Sequence, residues 1–403
     1  MKFDIAGSRI VYDPNSELAL EFGNDAELTE ENHKYLHEIG IETSSPEEAF
    51  ILQRATRDCF RYNSNSASIV IHMGYNCNLD CSYCYQNLLP VKSHLKQPQL
   101  KSASDLIYQL SKSGTSNLDL CFIGGEPLLY TKSIEFILAN LPANLSVHTQ
   151  VVTNGTLLSN RLKKTILDSI DEWFVTIDGE KTDHDYHRKF KFNSEGSYDL
   201  ILENLFTLPH NISQNIIINC NLTKRNQNSV NTFLKELRRK DFPGKVVFSE
   251  VFEPSGCHID GILKKTDTLW SDCVLEAEKF GYVNPALVRS GRLSCPMFMP
   301  YYFIIGADGY LYSCLNGVGR SAFRLSKLED YLFSDPVPHR VDAMLESKKL
   351  EKICEQCEFL TLCDGNCEFN KWLAGRFDCP RLSIRRNERR LVQRHIEKGV
   401  FPV

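Results

Sequence analysis

The sequence predicts an α/β protein: a partial (β/α)6 barrel of the TIM type over residues 66–285, a small α+β unit over residues 1–65, and a cysteine-rich domain over residues 286–403. Three observations carry this. Strand-like and helical stretches alternate six times through the middle of the chain, extended pieces and capped helix starts share the N-terminal stretch, and seven of the fifteen cysteines fall after residue 290. With 403 residues, 42% of them hydrophobic, the chain is long enough for a barrel core and one or two smaller units.

In the N-terminal unit, residues 9–12 and 17–22 are apolar enough for short extended pieces, and residues 29–36 and 45–52 open as helices behind Thr29 and Ser45. The barrel strands are expected over residues 68–71, 118–122, 146–152, 172–177, 215–220 and 245–251, rich in Val, Ile and aromatic residues and separated by helical stretches. Barrel sites form at the C-terminal ends of strands, so chemistry is expected after each run. No internal repeat or low-complexity tract interrupts the alternation.

Charge and cysteine usage bound the function. The net charge of −5 disfavours wholesale nucleic-acid binding, which rests on cationic neutralisation of phosphates. No run approaches the roughly twenty apolar residues of a membrane span, and the N-terminus carries no secretory signal, so a soluble, cytoplasmic protein with metal-binding rather than disulfide-bonded cysteines is expected. Arg381, Arg385, Arg386, Arg389, Arg390, Arg394 and Lys398 crowd a segment with helical spacing through Leu382, Ile384, Leu391 and Ile396. A solvated helix face closing the last domain is the first reading of it; a dock for an acidic leader peptide is the second.

Cys77, Cys81 and Cys84 stand at C-x3-C-x2-C spacing directly after the first barrel strand. A closed zinc site wants four ligands, whereas three thiolates leave one iron of a 4Fe–4S cube free to bind something else. Three further segments follow the next strands in order: Gly124-Gly125-Glu126-Pro127, Thr153-Asn154-Gly155, and Thr176-Ile-Asp178-Gly179 with His184-Asp185-Tyr-His-Arg188. Glycines let backbone approach a ligand closely.

Together these segments resemble the radical S-adenosylmethionine (SAM) enzymes. The resemblance implies that the free iron chelates the methionine part of SAM, with Tyr83 as the aromatic residue before the third cysteine. It implies SAM contacts from Gly124, Gly125, Glu126 and Pro127 to the amino group, from Asn154 and Thr176, and from Arg188 to the carboxylate, which suits a guanidinium fork. Thr176 replaces the usual serine, hydroxyl for hydroxyl. The chemistry implied is reductive cleavage of SAM to a 5′-deoxyadenosyl radical that abstracts hydrogen from an unactivated carbon.

The C-terminal cysteines are similar, spacing for spacing, to the SPASM extension, an iron–sulfur cluster domain with two auxiliary 4Fe–4S clusters. That similarity assigns Cys354, Cys357, Cys363 and Cys379 to an outer cluster and Cys295, Cys314 and Cys367 to an inner one. The inner cluster is then one ligand short, to be completed by Cys273 or Cys257 or left open. Cys59, Cys121, Cys220, Cys257 and Cys273 belong to no motif and read as buried apolar fillers, with a hydrogen-donor role open to one in the barrel.

Relatives bearing this extension divide into maturases of ribosomally made peptides and anaerobic sulfatase-maturating enzymes that generate formylglycine. The latter carry an aspartate after the second SPASM cysteine; here Leu315 follows Cys314, and a leucine cannot act as a base. The first reading is therefore a maturase forming an oxidative C–C or C–S cross-link in a precursor peptide with a leader. Sulfatase maturation is the alternative, and a peptide epimerase or an inert cluster- and peptide-binding protein stand behind it. The resemblance further implies an electron donor such as flavodoxin or ferredoxin, and an N-terminal unit that is either a reduced winged-helix-type peptide-recognition domain or a decoration of the barrel. Asp178, Asp185, His184 and Tyr301 are pocket candidates; no base is assigned.

Overall fold

The computed structural model describes residues 2–5, 8–13, 18–23, 30, 34, 65–84, 86, 93–251, 269–282, 296–298, 301–331, 352–355, 367–375 and 379. At the N-terminus, β1 (Lys2–Ile5), β2 (Ser8–Asp13) and β3 (Leu18–Gly23) pair antiparallel in that order. The expected extended pieces are β2 and β3; β1 is an addition. Apart from Glu30 and Lys34, both helical, the two helix starts lie outside the described residues.

All six expected barrel strands form: β4 (Ser66–His72), β6 (Asn117–Ile123), β7 (Ser146–Thr153), β8 (Glu172–Thr176), β10 (Ile216–Leu222) and β11 (Lys245–Glu250). They lie parallel and adjacent in that order. The missing numbers belong to a small antiparallel ribbon, β5 (Leu79–Cys81) with β9 (Arg188–Phe190). Helices α1 (Gln97–Lys112), α2 (Thr131–Ala139), α3 (Lys164–Asp168), α4 (Lys181–His187), α5 (Tyr198–Thr207), α6 (His210–Ser213), α7 (Val230–Arg239) and α8 (Leu269–Lys279) connect or follow the strands.

The helices form where apolar residues recur at helical spacing. α7 buries Val230, Phe233, Leu234 and Leu237, an i, i+3, i+4, i+7 stripe, and leaves Lys235 and Arg239 outward. α1 starts at a proline in its first turn, where a missing N–H costs nothing, and the Lys96 N–H is taken by Gln99 Oε1 at 2.8 Å. Alternation along the strands divides their side chains: Ile69, Ile71, Leu120, Phe122 and Val175 pack in the large core with the helices. Val70 and Ile123 turn to the other face, into a second apolar cluster with Ile304, Tyr312, Phe323 and Phe369.

That second cluster exists because the sheet does not stop at the sixth strand. β12 (Tyr302–Ile305) lies parallel to β4, pairing Ile304 with Val70, and β13 (Tyr310–Tyr312) and β14 (Arg324–Lys327) continue antiparallel. The order is β11-β10-β8-β7-β6-β4-β12-β13-β14, so one sheet runs across the expected boundary at residue 285. The β12–β13 turn needs Gly309, whose φ is +82° and whose added Cβ would lie 2.3 Å from Gln99 Nε2. Among the described residues no helix is long and apolar enough to cross a membrane.

Candidate active site

The loop after β4 is held from two sides. Gly125 N–H donates to Gly74 O at 2.8 Å and Glu126 N–H to Asn76 O at 2.9 Å, so the segment after β6 lies against the cysteine loop. A Cβ on Gly125 would come within 2.2 Å of Asn76 O, which is why glycine stands there. From the other side the β5–β9 ribbon pairs Cys81 with Arg188 and Leu79 with Phe190, joining the first and last of the four sequence segments directly.

Between them opens a cavity of about 400 Å³. Cys77, Cys81 and Cys84 all border it, and so do Tyr83, Gly124, Gly125, Asn154, Thr176 and Arg188. Burial raises the Cys77 thiol and pushes Cys81 up to about 12, so these sulfurs keep their protons unless a cation takes the protons' place. Among the described residues no three His, Cys, Asp or Glu side chains close around a point as a single-ion site requires. Three thiols around one shared cavity fit a multi-iron cube with an open iron.

Arg188, 6% exposed, donates through Nη1 to Tyr83 Oη at 2.9 Å, while its Nε has no hydrogen-bond partner. Burial works against its charge, but the Asp178 carboxylate and the hydrogen bond to Tyr83 hold the guanidinium protonated. A buried cation with an unused donor at the cavity wall fits the carboxylate of a bound SAM. Tyr83 donates its hydroxyl hydrogen to the Asp178 carboxylate and accepts from Asn221 Nδ2 at 3.2 Å; Asp178 also accepts the Asn221 N–H at 3.0 Å. Tyr83 thereby ties the cysteine loop to the ends of β8 and β10.

Glu126 and Pro127 sit differently from the expectation that they border the cofactor. Glu126 is fully buried behind the cavity wall, where its carboxylate accepts from Leu128 N–H at 3.1 Å, Thr153 Oγ1 at 2.7 Å and Asn154 N–H at 2.8 Å. Burial raises its pKa against the pull of those bonds. Pro127, also buried, opens the short 3-10 helix Pro127–Tyr130. Only the two glycines of that segment border the cavity.

The four pocket candidates are structural. His184 Nδ1 accepts the Asp178 N–H at 3.2 Å and its Nε2 lies 3.0 Å from Ser197 Oγ; burial keeps it neutral. Asp185 accepts the Tyr198 N–H at 2.9 Å at the start of α5, Asp178 serves Tyr83, and Tyr301 packs on the large core. Asn221, Ser249, Val152 and Val251, which no motif contains, do border the cavity, as does Leu315, the residue after Cys314. The first four stand at or just past the C-terminal ends of β7, β10 and β11, where barrel sites form, and that position was the available signal.

Ten of the fifteen cysteines are among the described residues. Cys314 and Cys367 pack against the second apolar cluster, Cys354 is buried and Cys379 exposed; Cys295, Cys357 and Cys363, like Cys59 and Cys257, lie outside the described residues. Cys220 and Cys273 are buried in the core, and Cys121 is half-buried on β6.

Residues 71–236 match the Radical SAM superfamily, so the barrel is a radical SAM domain, and a SPASM-like cysteine-rich region follows it. More particularly, the chain is similar to the cysteine-type anaerobic sulfatase-maturating enzyme of Clostridium novyi, 25% identical over 325 residues, covering 73% of this chain and 86% of the relative. A serine-type anaerobic sulfatase-maturating enzyme of Klebsiella pneumoniae is 21% identical over 335 residues, 75% of this chain and 82% of its own. Among solved structures, native anSMEcpe with bound AdoMet and the Kp18Cys peptide superposes with a TM-score of 0.65 at 20% identity, covering 83% of this chain and 98% of that one. Streptococcus suis SuiB bound to its precursor peptide SuiA superposes with a TM-score of 0.55 at 14% identity, covering 92% and 96%.

Proposed function

We propose that this enzyme oxidises one residue of a peptide, or of a peptide segment of a protein, in the manner of the anaerobic sulfatase-maturating enzymes. The observation that carries this is the similarity to those enzymes over 325 residues, 73% of this chain and 86% of the relative. It weighs above the cross-linking reading that the sequence had put first.

A reduced 4Fe–4S cluster carrying SAM supplies one-electron cleavage of a carbon–sulfur bond and abstraction of a substrate hydrogen. The protein's part is to hold and exclude. Cys77, Cys81 and Cys84 ligate the cluster, Arg188 pairs with the SAM carboxylate, and Gly124, Gly125 and Thr176 let the cofactor lie close to the strand ends. Val152, Val251 and Leu315 give the cavity apolar walls that keep water from the reacting carbon. Cys295, Cys314 and Cys367, with a fourth ligand open, and Cys354, Cys357, Cys363 and Cys379 would hold auxiliary clusters, which would supply an acceptor for the second electron. Flavodoxin or ferredoxin delivers the first electron, and the N-terminal unit and the basic C-terminal segment are the places for a leader.

One observation favours a second reading. Leu315 borders the cavity at the position where the sulfatase maturases carry aspartate, and it cannot take a substrate proton. Cross-linking of a precursor peptide is chemistry that can proceed with a base supplied by the substrate. Mass spectrometry separates the two: anaerobic enzyme with SAM and reductant is given sulfatase-type cysteine and serine peptides, and short peptides encoded beside the gene. A hydrazide-reactive aldehyde on the first set supports sulfatase-type oxidation. Loss of two hydrogens from the second set, with no aldehyde on the first, moves the assignment to cross-linking, and an unchanged mass throughout removes both.

A further inference from the structure

Asn154 is expected to touch SAM, yet its side chain is already committed. Thr156 N–H, an obligate donor, points at one end of the amide from 2.9 Å, and this identifies that end as Oδ1. Thr156 Oγ1 donates to the same oxygen at 2.6 Å. The other end is therefore the NH2 group, with two hydrogens to place. One goes to Asn78 Oδ1 at 2.8 Å and the other faces Cys77 Sγ at 3.6 Å. Asn78 closes the ring by donating to Thr156 Oγ1 at 2.8 Å.

The ring is rigid from outside as well. Glu126 holds the Asn154 N–H, and Asn204 on α5 donates to Gly155 O and Thr156 O at 3.1 and 2.9 Å. Asn154 is 5% exposed. The Leu79 N–H adds a second donor to Cys77 Sγ at 3.4 Å, and among the described residues Cys81 and Cys84 sulfurs receive none. The three ligand thiols are thus unequal, and the difference is made by a side chain with no hydrogen-bonding capacity left over for the cofactor.

We infer that Asn154 is a positioning residue of the cluster, whose amide donates to the Cys77 sulfur and raises the reduction potential of the SAM-binding cluster. The inference rests on the reading that Cys77, Cys81 and Cys84 hold that cluster. A donor aimed at a ligand sulfur favours the more negative, reduced state, and hydrogen bonds to sulfur are among the levers that set cluster potentials. It also separates two roles that one motif would merge: Thr153 and Asn154 border the cavity, but the asparagine amide serves the cluster sulfur.

The test is a redox titration of the full-length, iron-loaded protein, followed by electron paramagnetic resonance of the signal that changes when SAM is added. Asn154→Asp keeps the oxygen for Thr156 and replaces the donor by an acceptor; the expected result is a potential shifted to lower values at unchanged iron content. SAM affinity should stay within about threefold of wild type, less than one hydrogen bond is worth. An unchanged potential, or a SAM affinity weakened tenfold or more with the potential intact, overturns the inference. Wild-type protein labelled with 15N-asparagine gives a reading independent of any variant's folding: a nitrogen coupling to the reduced cluster is expected, and its absence also overturns the inference. Failure of the wild type to bind iron at Cys77 would instead overturn the functional reading beneath it.

Discussion

Tyr83 and Glu126 show how much of this site is made by side chains that need never meet substrate. Tyr83 accepts from Arg188 and Asn221 and donates to Asp178 through a single oxygen, so Tyr83→Phe leaves the guanidinium without its anchor. SAM binding should weaken about tenfold, near the value of one charge-assisted hydrogen bond, as read by equilibrium dialysis. Glu126→Ala strands three buried donors and should cost roughly 2–4 kcal/mol in denaturant unfolding. Because burial raises the Glu126 pKa above its unfolded value, the folded state holds that proton more tightly. The group's contribution is greatest below the unfolded pKa and is lost as pH rises through the folded one, so the gap between wild type and Glu126→Ala should narrow as pH rises. Motif reading located both residues but not their work: a motif marks a position, and whether its side chain faces the cavity or the wall behind it depends on contacts from distant strands.

The six parallel strands were legible because each is a run of β-branched and apolar residues bounded by helical stretches, a pattern local to the chain. The β5–β9 ribbon was not, since three-residue strands have no periodicity and pair only through the fold. The hairpin from Tyr302 to Tyr312 carried a signal, two apolar runs around an Asp-Gly turn, that the cysteine spacing overshadowed. At this level the decisive contact is the loop after β6 lying on the cysteine loop. Gly125→Ala puts a methyl into Asn76 O, and neither backbone can yield without breaking the pairs to Gly74 and Asn76. The variant should retain its secondary structure by circular dichroism while losing more than half of its SAM-cluster iron on gel filtration, an order-of-magnitude expectation for a displaced ligand loop.

Across the whole molecule one sheet of nine strands carries both the cofactor cavity and the start of the cysteine-rich region. β12 covers what would be the open edge of β4, and Val70, Ile123, Ile304 and Tyr312 make an apolar seam beside it. The two parts should therefore open together: amides of Phe303, Ile304 and Ile305 are expected to exchange hydrogen at the slow rate of β4, and exchange ten times faster in β12 would show an independent unit. The same continuity brings Leu315 to the cavity wall, so the C-terminal region shapes the space assigned to the proposed oxidation of the substrate. The most direct test of that oxidation follows the abstracted atom. Enzyme, SAM and reductant are incubated without oxygen with a sulfatase-type cysteine peptide deuterated at the cysteine β-carbon, alongside a Cys77→Ala control. Deuterium appearing in 5′-deoxyadenosine, matched by aldehyde on the peptide and absent from the control, is the predicted result. Formation of 5′-deoxyadenosine without deuterium, or equal amounts from the Cys77→Ala variant, would contradict the account.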